Sequence, residues 1–190
     1  MTPPLKHEDV DERLVFAKRR LIELLSLNHG NLQSADSSQR QQLMQEFFFH
    51  LVGATEVLAQ LVNDTRALGV NSELVGVSGI GKKLPALDAV KPILGSLHVV
   101  VRLKPLPKDP YNDAGYIFRI LNYRHQVTQR RRNPIFTKVG VGSAPADGTV
   151  YLLLDPRNLS LGPSAKSLQE DMRHMLELVK NQCENALSKL

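Results

Sequence analysis

The sequence predicts an all-α fold: an up-and-down helical bundle of about five helices with a small β-hairpin inserted before the last one, in a single domain over residues 1–190. Three observations predict it. Apolar residues recur at three- and four-residue steps over long stretches toward both ends of the chain, the pattern of helices that bury one face. Only two short runs read as strands, too few to build a sheet-based core. The 190 residues, 42% hydrophobic and 23% charged, are enough to bury one core and contain no repeat, low-complexity tract or interdomain linker.

A first helix is expected from about Asp9 to Ser26, where Val10, Leu14, Ala17, Leu21, Leu24 and Leu25 share a stripe, ending at the turn signal Asn28-His29-Gly30-Asn31. A second begins at Asp36 or Ser37, whose side chains can accept hydrogen bonds from the first free backbone amides, and runs to about Leu68. Its stripe of Leu43, Phe47, Leu51, Ala54, Leu58 and Leu61 is widened by Phe48, Val52, Val57 and Val62 until most of the circumference is apolar, which predicts a central helix covered on several sides. Glycines break the pattern from Gly69 to Lys83, read as a flexible loop, and a less regular third helix follows from about Leu84 to Val101, with Pro85 in its first turn and Pro92 kinking or splitting it. Three prolines make Lys104 to Pro110 a connector. Asn112 or Asp113 caps a fourth helix that reaches about Arg132 and stops before Asn133-Pro134. Extended runs at Ile135 to Val141 and Thr149 to Leu154 flank the turn-rich GSAPADG and read as the hairpin. The final helix, about Ser164 to Leu187, carries Leu168, Met172, Met175, Leu176, Val179, Cys183 and Leu187 on one side.

Composition narrows the function. Cys183 is the single cysteine, so an internal disulfide is excluded and no thiol-based zinc or iron-sulfur site can form; a reducing, cytoplasmic location is expected, with no metal and no cofactor. No apolar run approaches the roughly 18 to 20 residues of a membrane span, and the start MTPPLKHEDVDER is too polar for a signal peptide. The net charge of +5 is local: between Ala114 and Ala146 stand six cations (Arg119, Arg124, Arg130, Arg131, Arg132 and Lys138) with no Asp or Glu, which leaves 5 − 6 = −1 for the rest. Such a segment attracts phosphate or an acidic protein surface, unless it is a solvated face paired with carboxylates of other helices.

Gly76-Val-Ser-Gly-Ile-Gly81-Lys82 has the G-x4-G-K spacing of a phosphate loop, and Val150 to Asp155 resembles an apolar strand ending in a magnesium-binding acid. The position that should give the metal a hydroxyl is Lys83, and a long helix, not a buried strand, precedes the glycines. Nucleotide hydrolysis is therefore not expected.

On the fourth helix, Ala114, Ile117, Ile120, Leu121, Val127 and Thr128 define a buried stripe with Arg124 near its middle; Arg119 projects nearly opposite, toward solvent, and His125 and Gln129 lie along a flank. A guanidinium on an apolar face must be paired, snorkel or line a polar cleft, and an acid of another helix such as Glu56 or Glu177 is the plain partner. Asn122-Tyr-Arg124-His125-Gln-Val-Thr-Gln129-Arg-Arg-Arg-Asn-Pro134 resembles the motif helix of HEPN-type proteins, helical bundles in which an Arg followed by a polar residue precedes a His by four to six positions. Many are metal-independent endoribonucleases that dimerise with paired motifs across a cleft; others are inactive partners or belong to toxin systems. The resemblance implies a homodimer through this helix, with Arg124 on the scissile phosphate, His125 as proton carrier and Gln129 where the family has its His. The literal R-x5-H match, Arg119 to His125, puts apolar Ile120 after the arginine.

Metal-free RNA cleavage requires a base for the 2′-hydroxyl proton, an acid for the leaving oxygen and a cation on the phosphate. Arginine supplies the cation with planar paired donors, and histidine can move the protons, whereas glutamine cannot. Gln129 should thus cost about 10² to 10⁴ in rate. Arg130, Arg131 and Arg132 favourably oppose the helix dipole and, with Arg119 and Lys138, form the expected RNA-tracking strip. His50, His98 and His174 read as structural. Two functions follow as expectations: RNA binding with weak or degenerate endoribonuclease activity, or a catalytically inactive bundle that serves as a protein-interaction, antitoxin-like partner.

Overall fold

The computed structural model describes residues 5–27, 34–98, 109–129, 135–139, 149–153 and 166–190, with only the backbone of 34–37, 72, 126–129 and the two strand segments. In chain order these form α1 (His7–Ser26), α2 (Ser34–Thr65), a 3₁₀ turn (Ser72–Leu74), α3 (Val77–Lys83), α4 (Lys91–Ser96), α5 (Asp113–Gln129), β1 (Ile135–Val139), β2 (Thr149–Leu153) and α6 (Leu168–Leu187). The core is all-α.

α2 is the central element. It packs against α1, α3, α5 and α6, as a helix apolar around most of its circumference must. Phe47, Phe48, Leu51, Ala54, Leu58 and Val62 on it are fully or almost fully buried, and so are Val10, Leu14, Ala17, Leu21 and Leu24 of α1, the stripe expected there. The Phe48 ring lies 5.2 Å from that of Tyr123 and joins α2 to α5. α2 closes where Asn63 clasps Val70: Asn63 Oδ1 accepts from Val70 N and Asn63 Nδ2 donates to Val70 O, each at 3.0 Å. The reversal between them passes through Gly69 at φ +66°, a left-handed backbone that glycine adopts without strain.

The segment after α2 departs from expectation. The glycines of the phosphate-loop lookalike do not make a loop: Gly76 is the N-cap of α3, whose Val77 and Ile80 are buried at helical spacing. Lys82 and Lys83 sit in the last turn of that helix, where cations oppose the negative end of the dipole. Residues expected as a kinked third helix instead turn through Leu84 to Val90, and α4 starts with Pro92 in its first turn, where a proline removes no hydrogen bond. The described residues thus hold six α-helices, two of them short, in place of about five. Lys91 Nζ donates to Leu84 O at 2.7 Å and closes the turn.

α5 starts where its cap predicts, with Asn112 Oδ1 accepting from Gly115 N at 2.8 Å. Gly115 is required for a second reason, since a Cβ there would collide with the Asp109 carbonyl. α6 begins later than expected. Ser167 and Glu170 form a reciprocal capping box, Ser167 N donating to Glu170 Oε2 at 2.8 Å and Glu170 N to Ser167 Oγ at 3.3 Å, a stronger start than a lone serine upstream. β1 and β2 pair antiparallel, Ile135 opposite Leu153 and Val139 opposite Thr149; the turn expected over GSAPADG lies outside the described residues. Among the described residues, no helix is long and apolar enough to cross a membrane.

Candidate functional site at the seam of α5 and α6

Tyr116, Arg119, Ile120 and Tyr123 recur along α5 at three- and four-residue steps and are buried, together with Ile117, Phe118 and Asn122, with Arg119 only 4% exposed. This rotates the frame expected from the sequence, although Ile117 and Ile120 are buried as expected. Arg119 is at the middle of the buried face, Ala114 is exposed, and Arg124 sits at the margin. The cause is the weight of the aromatic rings. A stripe drawn through aliphatic residues left out Tyr116 and Tyr123, yet each ring offers more area for burial than an Ile or Leu, and together they set the rotation of the helix.

What makes a buried arginine tolerable is Asp171, fully buried in the first turns of α6. Its carboxylate takes the guanidinium as a fork: Arg119 Nη2 donates to Oδ2 at 2.7 Å and Nη1 to Oδ1 at 3.3 Å. Tyr116 Oη also donates to Oδ1, at 3.2 Å, and accepts from Lys166 Nζ at 3.1 Å. The result is a chain from Lys166 through Tyr116 to Asp171 and Arg119 that fastens Lys166, two residues before α6, to both helices. Aromatic faces enclose it. The Arg119 guanidinium lies 5.6, 5.2 and 5.9 Å from the ring centroids of Tyr111, Tyr116 and Tyr123, and His174 packs on Tyr116 at 4.2 Å.

The electrostatics follow from this enclosure. Burial alone would push the Arg119 guanidinium down, but Tyr123 and the hydrogen bonds and charge of Asp171 hold it above its ordinary value, so it stays charged. Burial pushes the Tyr116 phenol up, and donation to Tyr116 raises the Lys166 ammonium. Chemically the cluster is a closed ion pair. Its fork is taken by a carboxylate, the group a phosphate would have to displace.

Arg124 has a different setting. Its Nη1 lies 3.0 Å from Glu56 Oε1 on α2, with the two side chains 36% and 45% exposed. Glu56 is one of the two partners expected from the sequence, the other being Glu177, but the pair lies at the surface rather than under an apolar face. His125 beside it is exposed. α5 ends at Gln129, whose side chain, like that of Lys138 on β1, falls outside the description; Arg130, Arg131 and Arg132 lie outside the described residues. The structure therefore does not bring Arg119 and Arg124 into one patch, since one points into the core and the other lies beside Glu56.

Asp171, Tyr116, Tyr123 and Lys166 were not singled out from the sequence. One signal was present: Asp171 falls between Leu168 and Met175 at helical spacing, an acid inside an apolar stripe, which demands a buried cation as partner. The remaining titratable groups are dispersed. His50 stacks on Phe16 at 5.2 Å and is pushed down by burial and by Arg13; His98 is pushed down by burial and Lys82. Burial drives the Cys183 thiol up to about 12, which leaves it unreactive. Among the described residues no group of three or more His, Cys, Asp or Glu could hold a metal ion. No protein-family model, no curated protein and no solved structure matches the chain.

Proposed function

We propose that this chain is a catalytically silent helical bundle, HEPN-like in arrangement, that works as a protein-interaction module of the antitoxin-like kind rather than as an endoribonuclease. The observation that carries this reading is the Arg119–Asp171 fork. The arginine of the literal R-x5-H spacing is sealed under three tyrosines and committed to a carboxylate. Arg124, the arginine of the alternative frame, faces Glu56, and the position five beyond it is Gln129 instead of a proton carrier. Neither frame joins an arginine turned toward a cleft to a histidine at the family's spacing.

A second reading, RNA contact through the end of α5, is favoured by one observation: Arg124 is more than a third exposed and neighbours exposed His125, just before Arg130, Arg131 and Arg132 in the sequence. One experiment separates the two. Purified protein is incubated with labelled RNA in EDTA, and binding is followed across a salt series. The interaction module gives no fragments ending in 2′,3′-cyclic phosphate, also with Gln129→His, and no RNA affinity that Arg124→Ala reduces. Cyclic-phosphate fragments from the wild type would overturn the proposal, and salt-sensitive binding lost in Arg124→Ala would replace it with RNA contact.

A further inference from the structure

The outer face of α1 carries an ordered charge pattern, of which Arg19 lies over the Phe16 ring at 5.5 Å and Asp11 and Lys18 border the cleft to α6. Counting from Val15, the exposed acids Asp11 and Glu12 stand four and three residues before it, and the exposed cations Lys18 and Arg19 three and four residues after it. Val15 itself is 54% exposed and Ile22, seven residues further along the same face, 58%. These are the large exposed apolar side chains of α1, and α5 has no counterpart among its described residues.

Two ordinary explanations of the charges fail. The helix dipole accounts for acids in the first turn, but the cations sit in mid-helix and the last turn has none. Pairing within the helix needs opposite charges three or four residues apart, whereas Asp11 is seven from Lys18 and Glu12 seven from Arg19, and Glu23, four beyond Arg19, is held by Arg20. None of the four takes part in an ion pair among the described residues. Arg13 and Arg20, by contrast, face α2, where they meet His50 and Glu46.

We propose that this face of α1 is a homodimer interface in which α1 packs antiparallel against α1 of a second copy, about a two-fold axis through Val15. This rests on reading the chain as an interaction module and names its partner. An antiparallel pair centred on Val15 sets each residue opposite its mirror position: Val15 meets Val15, Asp11 meets Arg19, and Glu12 meets Lys18, each ion pair occurring twice by symmetry, while Ile22 falls opposite Glu8 and adds no apolar contact. A parallel pairing would stack acid on acid and base on base, so the pattern specifies orientation as well as partner. Val15 borders a cleft of about 340 Å³ between α1 and α6, whose far wall carries Glu177 and the paired Lys180 and Glu184.

The test is the mass of the full chain in solution by light scattering and analytical ultracentrifugation, at low and high salt. The wild type is expected to be a dimer. Val15→Arg, which sets two like charges face to face, should weaken association at least about 100-fold. Asp11→Lys/Glu12→Lys and Lys18→Glu/Arg19→Glu should each be monomeric alone and form a heterodimer when mixed. All substituted positions are exposed, and circular dichroism checks the fold. A monomeric wild type, or charge variants that self-associate as the wild type does, would overturn the α1 interface; the interaction-module reading stands or falls separately, on the RNA assay.

Discussion

Arg119 and Arg124 stand five positions apart on one helix, and each faces a carboxylate of another helix. Their surroundings make them different objects. At the seam of α5 and α6, Arg119 and Asp171 are 4% and 0% exposed, and every polar contact made there replaces lost hydration. At the edge of α5 and α2, Arg124 and Glu56 are 36% and 45% exposed, so water and salt screen their attraction and either partner can be rehydrated if the other leaves. Comparison of the two shows that burial, more than the presence of an ion pair, decides what an arginine on this helix can do. The buried one joins α5 to α6, and the surface one stands where water and salt reach its pair with Glu56.

The sharpest way to break that contrast is to remove one half of the buried pair. Asp171→Ala leaves the Arg119 guanidinium without a counter-charge and the Tyr116 hydroxyl without an acceptor, and should cost about 3–5 kcal/mol of unfolding free energy in urea titrations. Removing both charges together, as Arg119→Met/Asp171→Leu, should recover most of that loss, because the penalty comes from the stranded charge rather than from any large net gain of the pair. If the single variant costs under about 1 kcal/mol, the seam is wetter than its burial indicates and the contrast is lost.

A finer probe of the same seam is Tyr116→Phe. It keeps the ring that packs on His174 and under Arg119, and it removes only the hydroxyl that donates to Asp171 and accepts from Lys166. A loss of about 1 kcal/mol is expected, in the ordinary range for one hydrogen bond, since Asp171 keeps both donors from Arg119. A loss comparable to that of Asp171→Ala would mean that the hydroxyl, and not the guanidinium, anchors the carboxylate.

The bundle was legible in the sequence because its long helices declare themselves by period: the stripes of α1 and α6 and the all-round apolarity of α2 needed no other information. α3 and α4 were not, since seven and six residues are too few for a period to show against the glycines and prolines around them. The candidate site was half legible. The segment of α5 could be named, and Glu56 as one of two candidate partners, but the rotation of α5 could not, because tyrosine is polar at its tip and apolar in its body, and leaving it out moved the centre of the buried face by about 140°. The pairing of Arg119 with Asp171 spans 52 positions and depends on how two helices dock, which no local pattern contains.

The smallest expected effect belongs to the surface pair. With both side chains more than a third exposed, the Arg124–Glu56 interaction should contribute about 0.2–1 kcal/mol, measured as the coupling in a double-mutant cycle of Arg124→Ala and Glu56→Ala. Screening sets the second half of the expectation: raising the salt toward about 1 M, where the Debye length is near 3 Å, should shrink that coupling toward zero, while the coupling between Arg119 and Asp171 changes little. The two couplings measured side by side under the same salt series place each arginine without reference to any ligand. A surface coupling above about 2 kcal/mol that persists in high salt would show Arg124 to be as firmly committed as Arg119, and α5 would then carry two structural arginines and none able to exchange its carboxylate for an outside anion.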